Sequence, residues 1–142
     1  MLYQFAIVFD DWEQFGALQP QLIGRAVRLI VDANTAWLSL GDRWKRTPTI
    51  YASGVRFRRE PDGALNFWHD IPAILKLGHS HCVGLAAWRC AELAVRFGED
   101  ALIEVSISEE MRPVVGRQQE FHVCVRRSSG ELEDVARNLG MP

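Results

Sequence analysis

Three residues stand in the chain order of a nucleophile, a base and an orienting group: Cys82, then His122, then Asp134. Cys82 opens the run Cys82-Val83-Gly84-Leu85-Ala86-Ala87-Trp88-Arg89, which reads as the start of a helix. A helix N-terminus offers unpaired N–H groups and the positive end of the macrodipole, so it favours a thiolate and is expected to lower the cysteine pKa. A free thiol, with a pKa of ~8.5, is only slightly ionised at neutral pH, and an imidazole beside it supplies the missing base. His122 lies in the alternating, strand-like run Phe121-His122-Val123, a rigid platform for such a ring. Asp134 follows the turn signal Ser128-Ser129-Gly130 and is placed to accept from one ring nitrogen, leaving the other for the sulfur. The backbone N–H of Cys82 is a natural donor to an oxyanion.

These groups need elements to carry them. Residues 2 to 9 read as a buried strand, and 20 to 39 as a helix, with Leu22, Ile23, Ala26, Val27, Ile30, Ala33 and Trp37 at three- and four-residue steps. Pro20 near its start and Gly41 after its end fit helix punctuation. Residues 42 to 66 are broken by Pro48, Gly54, Pro61 and Gly63, with a short strand expected around Val55-Arg56-Phe57. Asp70 caps a short helix that tolerates Pro72 in its first turn and ends at Gly78. A helix over about 82 to 97 buries Cys82, Leu85, Ala86, Leu93 and Phe97, with Arg89, Glu92 and Arg96 elsewhere on its surface, and Gly98 closes it. Strands at 101 to 108 and 120 to 127 follow, then a helical turn from Glu133 to Leu139.

Composition narrows the classes. The 142 residues, 48% of them hydrophobic, make one domain with a full core, divisible into an N-terminal strand and helix (1–47) and a motif-bearing part (48–142). No apolar run reaches the roughly 18 residues of a membrane span, and the apolar N-terminus has neither the basic flank nor the cleavage site of a signal peptide. A net charge of −2 gives no global attraction to nucleic acid, and the basic runs 43–46 and 56–59 read as solvated faces or protein-interface anchors. Three cysteines, an odd number, suggest a reducing compartment rather than a disulfide framework.

Plainer assignments compete for the same residues. Cys90, Cys124 and Trp88 read as core, His69 as a surface residue, Asp134 as a helix N-cap and His122 as a hydrogen-bonded strand histidine. A zinc site drawn from His79, His81, Cys82, His122 and Cys124 is the sharpest rival. His122 and Cys124 share a strand face, but His79-Ser80-His81 matches no common ligand spacing. No cofactor is expected.

The segments Tyr51 to Pro61, Trp68 to Pro72, Cys82 to Leu93 and Gly130 to Met141 together resemble small transglutaminase-like proteins encoded among phage and prophage virion genes, a branch of the papain-like cysteine enzymes. The likeness covers residues 48 to 141, with its motifs in the family's order. It implies an α+β fold, a nucleophile helix packed on an antiparallel sheet, and a Cys82, His122, Asp134 site. Two positions depart from the pattern. The family's Gly-Asp-Cys-Glu-Asp is Ser80-His81-Cys82-Val83-Gly84 here, and its Glu-Asp-Pro is Glu133-Asp134-Val135. The implied activity is that of a cysteine peptidase, amidase or transglutaminase acting through a thioester, with Tyr51 and Trp68 as candidate oxyanion donors. The other expectation is a virion structural or assembly protein that keeps the fold with little chemistry. Expected partners are a protein or peptide substrate, or other virion proteins, in a bacterial cytoplasm or a virion.

Overall fold

The computed structural model describes residues 9–61, 67–112 and 116–142. The expected strand at 2–9 falls, apart from Phe9, outside the described residues.

Helix α1 (Gln19–Ser39) follows a 3-10 segment (Trp12–Leu18) and has Pro20 in its first turn, where a missing N–H costs nothing. Its buried residues Val27, Val31, Asn34 and Leu38 step by three or four and so form one stripe. Past Leu40, Gly41 and Asp42 both take the left-handed conformation, at φ 56° and 52°, and turn the chain into the Leu40–Lys45 segment. Aspartate is among the few residues with a side chain that tolerate this backbone.

The long irregular stretch holds a short strand, β1 (Arg56–Phe57), as expected, preceded by a 3-10 turn (Ile50–Ala52). In helix α2 (Ile71–Leu77), Asp70 caps the N-terminus by accepting from Ala73 N at 3.1 Å, and left-handed Gly78 (φ 74°) closes the other end. The buried amide of Asn34 in α1 accepts from Ile71 N at 3.0 Å, which ties the start of α2 to the first helix. Strand β2 (His79–Ser80) pairs in parallel with β1, Arg56 opposite His79 and Phe57 opposite Ser80, and leads directly into helix α3 (Cys82–Phe97).

Helix α3 is the centre of the molecule. Val83 to Trp88 and Cys90 to Leu93 are all buried, the pattern of a helix enclosed on nearly every side. Two expectations fail at its polar positions and its end. Glu92 is buried at 1% exposure, because Ile50 N and the Arg89 guanidinium both donate to its carboxylate, at 3.0 and 2.8 Å. Phe97, expected in the core, is 69% exposed: it is the last helical residue before Gly98 turns the chain away at φ 61°.

An antiparallel sheet covers the helices, with strand order β3 (Leu102–Arg112), β4 (Gly116–Arg126), β5 (Leu132–Glu133). The register sets Val105 opposite Val123 and Ser106 opposite His122. Ile103, Val105, Phe121, Val123 and Val125 join the core with residues of α1 and α3. By alternation, Glu104, Ser106, His122, Cys124 and Arg126 occupy the other face, where Arg126 grips Glu104 with two bonds of 2.7 and 2.8 Å. Helix α4 (Val135–Asn138) closes the chain. One hydrophobic cluster runs from Val27 to Leu139, so helices and sheet share a core in a mixed α+β unit.

Candidate functional site

Cys82 is the first residue of α3, held there by its neighbours on both sides. His81 is the N-cap: its Nδ1 accepts from Val83 N at 3.3 Å, so Nε2 carries the proton and donates to the Phe67 carbonyl at 2.8 Å. Burial pushes its pKa down, which keeps the imidazole neutral as the cap requires. Two residues past the cysteine, a Cβ on Gly84 would overlap the Ser80 hydroxyl and stand 3.1 Å from Ile74 Cδ1 and 3.3 Å from the His69 carbonyl. Glycine here lets the first turn of α3 lie close to α2 and the chain before it without displacing the Ser80 hydroxyl.

The sulfur reaches the edge of β4. Arg127 N donates to Glu131 O, so the N–H groups of alternate residues back along the strand, at 125 and 123, point to the β5 side. Pairing with β5 ends at Glu133 opposite Val125, and beyond it the Val123 N–H lies close enough to the Cys82 sulfur to favour its thiolate. The thiol therefore sits against the strand segment that carries His122. Burial pushes the Cys82 thiol above its ordinary pKa, and the Asp134 carboxylate adds to this; the N–H groups of Val123, Val83 and Cys82 act the other way without overcoming it. The helix start thus favours the thiolate as expected from sequence, but removal from water is the larger effect. Among the described residues no hydrogen bond joins the sulfur to the His122 ring.

His122 and Asp134 do pair, Nε2 to Oδ2 at 2.9 Å, with both side chains about one-quarter exposed. A carboxylate only accepts, so the neutral ring donates from Nε2 and keeps Nδ1 as its basic nitrogen. Asp134 is also the N-cap of α4, its Oδ1 accepting from Arg137 N at 3.1 Å. The helix cap and the bond to the imidazole therefore coexist, one on each carboxylate oxygen. Arg137 Nε adds a contact of 3.4 Å to Oδ2.

What precedes Asp134 fixes where it stands. Glu133, 8% exposed, accepts from Arg89 at 2.8 Å, Arg127 at 3.0 Å and the Tyr51 hydroxyl at 2.5 Å. Burial would raise the Glu133 carboxyl, but Tyr51, Arg89 and Arg127 outweigh it and hold it below its usual range. Tyr51 spends its only O–H proton on this bond, and its pKa is pushed up to about 12, first by burial and then by Glu133. Tyr51 is therefore a support for Glu133 rather than an oxyanion donor. Trp68, the other candidate, lies edge-on to Phe121 with ring centroids 6.3 Å apart, and its indole N–H has no hydrogen-bond partner among the described residues.

Cys124, assigned to the core from sequence, is buried but belongs to the site. It lies two residues from His122 on the same strand face, with its sulfur within 4.8 Å of the Asp134 carboxylate. Its pKa is pushed up to about 11, by burial first and then by Asp134 and the neighbouring Cys82. One donor atom each from His122, Cys124 and Asp134 lies within 4.8 Å of the other two. The remaining sequence-derived zinc candidates lie outside this group: His81 caps α3, Cys82 opens that helix, and His79 Nε2 is 3.4 Å from Arg58. The sequence carried one signal for Cys124, its i, i+2 relation to His122. Cys90 is core, its thiol donating to the Ala101 carbonyl at 3.1 Å.

No helix among the described residues is long and apolar enough to cross a membrane. Comparisons with protein-family models, curated proteins and solved structures find no match for this chain.

Proposed function

We propose that this chain is a transglutaminase-like cysteine enzyme of papain-like topology, acting on amide or ester carbonyls through a thioester at Cys82. The observation that carries the reading is the 2.9 Å pair between His122 Nε2 and Asp134 Oδ2, on the strand that passes close to the Cys82 thiol.

With the thiol protonated at rest, His122 acts as a general base rather than as half of a standing ion pair. Nδ1 takes the thiol proton as Sγ attacks the carbonyl carbon, and the Cys82 N–H at the head of α3 donates to the oxyanion. Nδ1–H then protonates the leaving amine or alcohol, and the acyl group stays on sulfur. Water or an amine, deprotonated by Nδ1, attacks the thioester and frees Cys82. Water gives a peptidase or amidase, and an amine gives a transglutaminase. Asp134 holds the ring in the required tautomer throughout.

The test is acylation by an activated ester, read as a mass increase on intact protein and mapped to a residue. The expected result is a thioester at Cys82, absent in Cys82→Ala and slowed by on the order of 10²–10⁴ in His122→Ala. Acylation that ignores His122, or maps to Cys124, rejects the reading.

A second reading, an assembly protein of a virus particle, is favoured by the aromatic group Phe9, Trp12 and Phe15, whose ring centroids lie 5.0 to 5.8 Å apart. Phe9 and Trp12 also line an apolar groove with Ile23, Ile107 and Phe121. An unreactive Cys82, with assembly defects on Trp12→Ala, would select it.

A further inference from the structure

We propose that His122, Cys124 and Asp134 form a binding site for a divalent cation of the zinc type, and that its occupancy switches Cys82 off by taking His122 away from it. The second half rests on the acyl-transfer reading above; the first half does not.

The donor set is one imidazole nitrogen, one sulfur and one carboxylate oxygen, the mixture that zinc prefers over the all-oxygen shells of calcium and magnesium. Donor atoms on a tetrahedral zinc ion, with bonds of about 2.0–2.3 Å, lie roughly 3.3–3.8 Å apart. These three already lie within 4.8 Å of one another, so small side-chain rotations close the site. The backbone supplies the convergence. His122 and Cys124 leave the same face of β4, and the β4–β5 register, with Glu133 opposite Val125, carries Asp134 to a position across from Cys124. Asp134 is further oriented by its bond to Arg137 N, an outer contact of the kind that fixes a metal ligand. Arg137, whose side chain is 68% exposed, has room to swing aside from Oδ2.

Charge also balances. A divalent ion displaces one proton, from the Cys124 thiol to solvent, and then faces one thiolate, one carboxylate and a neutral imidazole, for a net charge of zero. No electron moves, and a fourth position remains for water. The nitrogen that would ligate is Nε2, the one that now donates to Asp134. Its proton moves to Nδ1, the nitrogen required as the base, so the bound ring can neither accept from Cys82 nor be held by Asp134. The metal thereby breaks the base and its orienting bond together while leaving the nucleophile in place.

Cobalt(II) reports thiolate ligation directly, through a sulfur-to-metal charge-transfer band. Titrating the intact chain is expected to give this band at one equivalent, to lose it in Cys124→Ala and to keep it in Cys82→Ala. A band that survives Cys124→Ala, or depends on Cys82 instead, overturns the site, as does no band at all. His122→Ala and Asp134→Ala are expected to weaken cobalt binding at least tenfold, and circular dichroism checks that each variant is folded. For the switch, the measure is the ratio of acylation rates without and with zinc, taken within each protein. That ratio is expected to be large in the wild type and near one in Cys124→Ala; equal ratios overturn the switch. If the wild type is not acylated even with a chelator present, the acyl-transfer reading fails, and the cobalt band alone decides the metal site.

Discussion

Asp134 does two jobs with two oxygens, and the consequences of replacing it separate cleanly. Asp134→Ala removes the α4 cap, for a loss of about 1 kcal/mol in denaturant unfolding. It also removes the orienting bond to His122, for a fall in Cys82 acylation on the order of 10²-fold or more. A variant that loses the stability but acylates at full rate would dismiss Asp134 from the chemistry. Cys90 makes the fold less stable as pH rises. Its thiol is 2% exposed and its pKa is raised from 9.0 to about 11, chiefly by burial, so the folded state resists ionisation more than the unfolded chain does. Above pH 9 the unfolded state sheds this proton first. Stability is therefore full below pH 9 and falls by ~2–3 kcal/mol as pH rises toward 11. Urea midpoints across this range are expected to show a steeper decline in the wild type than in Cys90→Ala, whose buried methyl does not titrate.

At the level of elements, the start of α3 is the sensitive point, because its position decides where the sulfur meets β4. Gly84→Ala forces a methyl group against the Ser80 hydroxyl and the His69 carbonyl. Relieving this overlap displaces the Ser80 hydroxyl and presses the first turn away from Ile74 and the His69 carbonyl, with an expected cost of about 1–3 kcal/mol. Acylation of Cys82 is expected to drop by more than stability alone explains, measured at a temperature where the variant stays folded. Equal acylation in a destabilised Gly84→Ala would show that the turn tolerates the shift. Most of these elements are legible in the chain: the capped helix after Asp70, the helix between Cys82 and Gly98, the sheet strands and the turn after Asp134 all follow from local punctuation and period. The strands β3 and β4 extend further than their apolar alternation suggests, to Arg112 and from Gly116. Their outer ends are polar, so hydrophobic periodicity gives no signal where backbone pairing continues.

Across the whole molecule, one buried ionic network joins the elements that meet at the site. Arg89 in α3 contacts Glu92 in the same helix and Glu133 in β5, and its guanidinium lies 5.3 Å from the centre of the Tyr51 ring. Arg127 extends the network from Glu133 to Glu99, just past the end of α3. Removing Arg89 leaves two nearly buried carboxylates without a partner they share, and Arg89→Ala is expected to cost about 3–5 kcal/mol in chemical unfolding. A loss below about 1 kcal/mol would show that Arg127 and Tyr51 hold Glu133 without it. The network also explains why Arg89 and Glu92 misread as surface: their i,i+3 pair is what an exposed helix face also shows, and the partners that allow burial, Ile50 N and Glu133, are more than forty residues away.

The amino-acid order by itself determined the elements and the residue types at their ends, because caps, glycine stops and hydrophobic period act over a few residues. It also supplied the Cys82, His122, Asp134 order. Only the tertiary structure decided how those residues are spent. It divided Asp134 between a helix and an imidazole, turned Tyr51 toward Glu133, set the buried Cys124 beside His122 and Asp134, and put burial above helix-end electrostatics at Cys82. Each of these depends on desolvation or on a partner many residues away, and both exist only once the chain has folded.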